Sequence, residues 1–247
     1  MLPNVLFEDG MMDYSDAQAG FGAFMFTRLA AFRGTRPYVF PLNNGSYMTL
    51  NGGMRTTFDV ADVTGDAAAD VTVEMPIKQH QNASSVDLGF VKTGAGTLRL
   101  ASSDNNFNGD AVVSNGTLRV DGNISASHAV VVEAGGFLSG TGTVNNVSVA
   151  AGGGFAATAG QKGMLTIAGD ATVPATGVVE IANPRGMDTN RILVKFATVA
   201  GTLTIPDDLS GWTVKVDGVT MPPGFALLRQ GNTLVAGCVQ GTMVIFR

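Results

Sequence analysis

Hydrophobic and polar residues alternate in short runs along most of the chain, and glycines separate the runs. One run occurs twice, as Gly-Thr-Leu-Arg-Leu at residues 96–100 and as Gly-Thr-Leu-Arg-Val at residues 116–120. Gly136 begins a third run after the same interval of twenty residues. A turn glycine followed by an alternating strand, repeated at a fixed period, is typical of a solenoid in which each repeat forms one coil. The pattern therefore predicts stacked coils of about twenty residues each.

A coil of that length accommodates three short strands and three turns, and stacking pairs each strand with its equivalent in the next coil. We expect the aliphatic residues of each strand to face inward, such as Leu98, Leu100, Leu118, Val120 and Val130. With about ten coils spaced about 4.8 Å apart, the body would be a rod of roughly 50 Å. A hairpin sandwich is the competing architecture, but it does not predict a repeat of coil length.

The first part of the chain, residues 1–40, differs from the rest because it is rich in phenylalanine and methionine. The spacing of Phe21, Met25, Leu29 and Phe32 is compatible with one face of a helix, although nearby glycines weaken the start of such a helix. We interpret residues 1–40 as an atypical N-terminal cap or an incoming partial coil, since an open coil end exposes apolar core and unpaired strand edges. Residues 41–247 continue as one solenoid without a linker.

The composition agrees with an all-β class. The 247 residues include 33 glycines and only 9 prolines, yet 45% are hydrophobic, which is not the composition of a disordered linker. The net charge of −5 comes without a basic stripe, so we expect no nucleic-acid partner. The single cysteine, Cys238, cannot form an internal disulfide, and no cysteine and histidine residues have the spacing of metal ligands. We therefore expect no cofactor.

The N-terminal residues lack the basic and apolar stretches of a signal peptide, so no export signal is visible in the sequence. There is also no window of eighteen apolar residues, and we expect no membrane-spanning segment.

Three consecutive stretches carry a family resemblance. Residues 92–100 read Lys-Thr-Gly-Ala-Gly-Thr-Leu-Arg-Leu, residues 107–109 form a Phe-Asn-Gly turn, and residues 112–120 read Val-Val-Ser-Asn-Gly-Thr-Leu-Arg-Val. Together they resemble one repeat of the autotransporter-associated β-strand repeat family, also called passenger-associated transport repeats. Residues 138–181 resemble the segment that commonly follows such a repeat, so the resemblance extends over about residues 47–205.

The resemblance implies a single-stranded, right-handed parallel β-helix in the exported passenger of a bacterial surface protein secreted by the type V route. It also implies an extracellular or cell-surface location. The expected function is a non-catalytic structural passenger or stalk module, with adhesion to a glycan or surface protein of the host or the environment as its more specific form. The family provides no catalytic residue to carry over.

Two acidic stretches are candidates for chemistry. Residues 104–110 are rich in aspartate and asparagine, but they lack the ligand spacing of a calcium loop, so turn formation is the favoured interpretation. Asp59, Asp62, Asp66 and Asp70 lie in an alanine-rich segment. We interpret that segment as a solvated loop rather than as a carboxylate pair for glycoside hydrolysis, which requires two carboxylates that flank one bond.

Other candidates are weaker. The two histidines, His80 and His128, have no evident nucleophile beside them, and Cys238 is better explained as a small buried residue than as a nucleophile. The paired glycines precede strands rather than helices, which excludes a phosphate cradle.

The notable positive charges are Lys92, Arg99 and Arg119, and the two arginines occupy equivalent places in successive runs. Such a two-rung basic ladder suits a sulfated or carboxylated glycan, so Arg99 and Arg119 are the candidate ligand contacts. The alternative is that both arginines are simply solvated outward residues, and it is favoured because most exposed charged residues of strands have no ligand. An alternative function for the whole chain is a β-helix polysaccharide lyase or hydrolase that acts on an acidic glycan.

Overall fold

The computed structural model describes residues 2–9, 24–42, 45–50, 55–79, 89–189 and 192–238. These residues form strands and no α-helix. In chain order the strands are β1 Leu2–Glu8, β2 Phe24–Arg33, β3 Tyr38–Phe40, β4 Met48–Leu50, β5 Thr56–Val60, β6 Val71–Val73, β7 Ile77–Gln79, β8 Phe90–Thr93, β9 Thr97–Leu100, β10 Ala111–Val113, β11 Gly116–Val120, β12 Asn123–Val132, β13 Gly136–Gly140, β14 Thr143–Val149, β15 Gly154–Thr158, β16 Leu165–Ile167, β17 Ala171–Thr172, β18 Thr176–Ala182, β19 Leu193–Val199, β20 Leu203–Thr204, β21 Gly211–Val216, β22 Val219–Thr220, β23 Phe225–Gln230 and β24 Thr233–Cys238.

The strands stack into a three-sided parallel solenoid. They form one sheet of 15 strands and one of 9 strands. The larger sheet supplies two sides, because its long strands turn a corner: the start of β14 pairs with β16, whereas its end pairs with β17. Side 1 contains β5, β8, β10 and β17, side 2 is the nine-stranded sheet, and side 3 contains β4, β7 and β16. The prediction of an all-β parallel β-helix is confirmed.

The predicted period describes the central coils. Thr97 pairs with Thr117, and Thr117 pairs with Phe137, each twenty residues apart. Elsewhere the coil length varies: Phe137 pairs with Gly154, 17 residues later, and Val178 pairs with Thr213, 35 residues later. Longer loops at the corners account for the long coils. Side 2 therefore contains eight parallel strands among the described residues, fewer than the ten coils expected from a constant period.

The core fills the interior of the coils. Leu98, Leu118 and Leu138 lie in register on successive strands, and Phe155 continues the same inward row. All five residues predicted to face inward from the pattern are buried. Full burial of one leucine or valine contributes about 1.5–3 kcal/mol, so each added coil extends a core that its neighbours already cover.

The N-terminal segment forms strands rather than a helix. Strand β1 pairs in parallel with β2, and β2 pairs on its other edge with β5, so the backbone of β2 has partners on both sides. The rings of Phe7 and Phe32 stack with centroids 4.8 Å apart. The helical alternative for Met25, Leu29 and Phe32 is therefore wrong, because sheet pairing on two edges and aromatic stacking outweigh the helical spacing. Phe21 lies outside the described residues.

The last strands change direction. Strand β24 pairs antiparallel with both β19 and β23, and β22 pairs antiparallel with β21. These antiparallel strands pair with the outer edges of β19 and β21, which parallel stacking would leave open. The strand predicted from residues 242–246 lies outside the described residues. Across the described ranges, no helix has the length and apolar character needed to cross a lipid bilayer.

Candidate ligand-binding surface

The outward positions of side 2 form a straight row, because the strands pair in register. We call this the outer row. Arg99 pairs with Thr72 on one neighbouring strand and with Arg119 on the other. Leu138 pairs with Phe155, which aligns Ser139 with Ala156. The complete outer row is Val39, Thr72, Arg99, Arg119, Ser139, Ala156, Glu180 and Lys215.

The two candidate arginines are neighbours in the outer row and share one acidic partner. Arg99 Nε donates to Asp121 Oδ2 at 2.7 Å, and Arg119 Nε donates to the same oxygen at 2.9 Å. The arginine side chains are 35% and 37% exposed, whereas that of Asp121 is only 10% exposed. Thr141 Oγ1 donates to the other carboxylate oxygen of Asp121 at 3.4 Å. The structure thus makes a compact cluster of two cations around one nearly buried anion.

Asp121 remains an anion in this cluster. Burial alone would raise the pKa of its carboxyl, but the hydrogen bonds and positive charges of Arg99 and Arg119 lower that pKa below its usual value. Sequence reasoning did not identify Asp121 as a candidate. A signal was present, because Arg119 and Asp121 are two residues apart and residues at that spacing lie on the same face of an extended strand.

A groove of about 1100 Å³ lies over side 2, and Arg119 lines it. Its floor consists of small side chains from successive strands, including Thr117, Ser139 and Ala156. Residues from two loops, 62–68 and 158–162, and from the segments 180–184 and 217–218 also line it. The groove crosses the strands, so an elongated ligand lying in it would run along the solenoid axis.

Four carboxylates line the groove, and each accepts a hydrogen bond from a loop backbone. Asp62, Asp66, Glu180 and Asp217 accept from the amides of Gly65, Ala68, Gly218 and Asn183, each at 2.7 Å. They therefore shape the loops as well as giving the groove a negative rim. Asp62 and Asp66 are exposed, in agreement with the interpretation of their segment as a solvated loop.

Asp70 does not fit that interpretation, because it is buried with an exposure of 1%. Its Oδ1 accepts from the amides of Val63 and Thr64 at 2.8 and 2.9 Å, and its Oδ2 accepts from the amide of Thr97 at 2.6 Å. Asp70 therefore ties one wall of the groove to strand β9. The expectation of a solvated position is wrong for Asp70, since backbone amides replace water around its carboxylate.

Lys92, the third notable positive charge, is also buried, with an exposure of 0%. Its ammonium group donates to the carbonyl oxygens of Thr93, Gly94 and Asn115 at 2.8, 2.7 and 2.9 Å. Burial lowers the pKa of Lys92 from its usual 10.5 to about 8, and nearby Asp59 partly opposes this shift. Because Asn115 lies in the next coil, Lys92 connects two coils from within and is not part of the surface.

The asparagine and aspartate cluster at residues 104–110 forms structural contacts. Asn105 is buried; its Oδ1 accepts from the amide of Ile77 at 2.8 Å, and its Nδ2 donates to the carbonyl oxygen of Ser102 at 2.7 Å. Asp110 pairs with Arg55 at 3.0 Å. Within the described ranges, no group of three or more histidine, cysteine, aspartate or glutamate residues is placed to hold a metal ion.

The remaining candidates are separate from the groove lining. His128 is exposed, and its Nδ1 lies 2.8 Å from Asp110 Oδ1. In the part of the chain that the structure describes, no serine hydroxyl is hydrogen-bonded to the ring of His128. Cys238 is half-buried, and His80 lies outside the described residues.

Residues 90–120 match the family model described as the passenger-associated-transport-repeat. The match spans strands β8 to β11, so it includes Lys92, Arg99 and Arg119. The resemblance of this stretch to the repeat family is confirmed. Comparisons with curated proteins and with solved structures gave no significant match.

Proposed function

We propose that the chain is a non-catalytic structural module of the passenger type: a stiff solenoid that is exported and displayed at the cell surface or released outside the cell. The observation that carries this proposal is the match of residues 90–120 to a repeat of autotransporter passengers, within a parallel solenoid that continues on both sides of it. Its role there is to space or present other parts of a surface protein.

The architecture suits this role physically. Each coil buries its apolar side chains against the coils before and after it, and its backbone pairs with theirs, so folding can proceed coil by coil as a chain emerges from a membrane. Parallel pairing on three sides resists bending, because bending would break hydrogen bonds along one side of the stack.

Adhesion is the more specific form of this proposal. The groove and the outer row of side 2 present charged and hydroxyl-bearing side chains on a rigid face, as a site for a glycan or a surface protein requires. Beads coated with host or environmental glycans would bind the purified protein if it is adhesive, and would not retain it if it is a spacer alone.

The location is tested in the source cells with an antibody against the purified chain. We expect the antibody to label intact cells or the culture medium, and added protease to remove the cell-surface signal without lysis. Labelling that appears only after the cells are permeabilised would contradict the proposal of export.

A second candidate function is a polysaccharide lyase or hydrolase acting on an acidic glycan. The observation in its favour is that Arg119 and several carboxylates line one groove. Incubation with polymers of uronic acids, followed by measurement of new reducing ends and of unsaturated products, decides between the two functions. Turnover that is lost when Arg119 or Glu180 is replaced would refute the non-catalytic proposal.

A further inference from the structure

We propose that Arg99 and Arg119, oriented by Asp121, form a binding site for the oxyanion of a ligand, namely a carboxylate or sulfate group carried by a sugar. We call these three residues the arginine fork. This inference rests on the adhesive form of the proposed function and deepens it, by naming the residues that bind and the chemical group that they bind.

The arginine fork can bind a ligand because each arginine uses only its Nε to contact Asp121. Both guanidinium groups donate to the carboxylate through Nε, and the structure shows no hydrogen bond from their terminal Nη atoms to any described residue. Arg33 and Arg55 differ, because their terminal nitrogens bind Asp59 and Asp110. The terminal nitrogens of the fork can therefore donate to the oxygens of a ligand, in the bidentate geometry that guanidinium groups make with oxyanions.

The two arginines are held at a fixed separation. They occupy paired positions on strands β9 and β11, and neighbouring strands lie about 4.8 Å apart. Asp121 is nearly buried and holds both side chains, which reduces the conformational entropy lost when a ligand binds. Two cations around one anion leave a net positive charge, so Asp121 positions the arginines without cancelling their attraction for an anion.

The surroundings limit the kind of ligand. Of the fork residues, only Arg119 lines the groove, and its other charged lining residues are the cation Lys162 and four carboxylates, Asp62, Asp66, Glu180 and Asp217. A long polyanion lying along the groove would therefore be repelled over most of its length. The fork suits one or two adjacent anionic groups on an otherwise neutral chain, and short probes should bind at least as well as long polyanions.

The test measures binding by isothermal titration calorimetry at 0.15 M salt. The probes are the dimer of galacturonic acid, which carries carboxylates, and a sulfated disaccharide. Binding of both identifies the shared oxyanion chemistry, and binding of one identifies the natural group. In the variant Arg99→Lys/Arg119→Lys, both positive charges remain but the planar guanidinium groups are lost, and we expect affinity for the probes to fall about tenfold or more. Arg229→Lys, at an exposed position of strand β23, is the control and should bind as the wild type does.

The variant Asp121→Asn separates orientation from charge. It makes the site more positive, so attraction by charge alone predicts tighter binding, whereas loss of the ionic anchor predicts about tenfold weaker binding. The proposal is overturned if the double lysine variant binds like the wild type, if Asp121→Asn binds more tightly, or if the wild type binds neither probe. Circular dichroism of each variant confirms that the fold is retained. Surface labelling of cells does not depend on the fork, so failure here leaves the proposed structural function standing.

Discussion

Replacing Gly116 by alanine adds a single atom, the Cβ, to the contact between two successive coils. Gly116 has a φ of +68°, and an added Cβ would clash with the carbonyl oxygen of Gly94 and lie 2.6 Å from that of Gly96. Both carbonyls belong to the preceding coil, whose turn packs directly on Gly116. The backbone there has little freedom to move, because Thr117 next to it pairs with strands on both sides.

Two costs add in this variant. A left-handed backbone conformation costs an alanine about 1–2 kcal/mol. The overpacking of a rigid backbone contact costs roughly another 1–3 kcal/mol. We therefore expect Gly116→Ala to lower the free energy of unfolding by about 2–5 kcal/mol. Gly218 is a matched control, because its φ is +77° and a Cβ there would have nothing within 4 Å. Gly218→Ala should cost only the conformational part, about 1–2 kcal/mol.

The assay is urea denaturation of the wild type and both variants, followed by far-ultraviolet circular dichroism and by tryptophan fluorescence. The difference between the two variants isolates the coil-to-coil contact from the backbone preference. Equal destabilisation by the two substitutions would refute the close stacking of the turn at residues 94–96 on Gly116.

Three further substitutions test individual interactions. Leu118→Ala removes a fully buried side chain and should lower the free energy of unfolding by about 2–5 kcal/mol in urea denaturation, whereas the outward Thr117→Ala should change it by less than about 0.5 kcal/mol. Asp70→Asn places the NH2 group of an amide against backbone N–H donors, so we expect the free energy of unfolding to fall by about 2 kcal/mol and hydrogen exchange in the loop 62–68 to become faster. The control Asp66→Asn should produce neither effect. The free energy of unfolding of the wild type should rise relative to that of Lys92→Met by up to about 3 kcal/mol as the pH increases from 8 to 10.5 in urea denaturation. The reason is that in this pH range Lys92 is still protonated in the unfolded chain but is mostly deprotonated in the folded chain. A difference between the two proteins that stays constant or falls with pH would contradict the lowered pKa.

The sequence predicted the centre of the fold well because two independent periods agree there. Alternation at every second residue identifies the inward side chains, and the spacing of twenty residues identifies the coil. Together they place Leu98 beneath Leu118 and Arg99 beside Arg119, as the structure does. Away from the centre, corner loops change the coil length without changing the strands, so no fixed period could predict the partner of Val178.

The charged interior was missed because charged residues were read as surface residues. Alternation places Lys92 on the same face of β8 as Phe90, and both are buried. The acceptors that make burial of the ammonium group tolerable are backbone carbonyls, two of them in the following turn and one, of Asn115, in the next coil. Every residue carries a backbone carbonyl, so the sequence alone could not show which carbonyls accept from Lys92.

The candidate surface was predicted in part. The two arginines and their adjacency follow from the repeat, whereas the groove depends on how two distant loops fold over side 2. One of those loops is held by buried Asp70, whose hydrogen bonds to Val63 and Thr97 exist only in the folded chain. That part of the site is therefore a product of tertiary structure.

Distances along the outer row test most directly the central claim that the chain is a stiff, parallel-stacked spacer. Spin labels are placed in a Cys238→Ser background at Val39 and Ser139, four strands apart, and at Val39 and Lys215, seven strands apart. With about 4.8 Å for each step, pulsed electron resonance should give narrow distributions near 19 Å and 34 Å. Broad distributions, or a distance from Val39 to Lys215 no longer than that from Val39 to Ser139, would contradict the account.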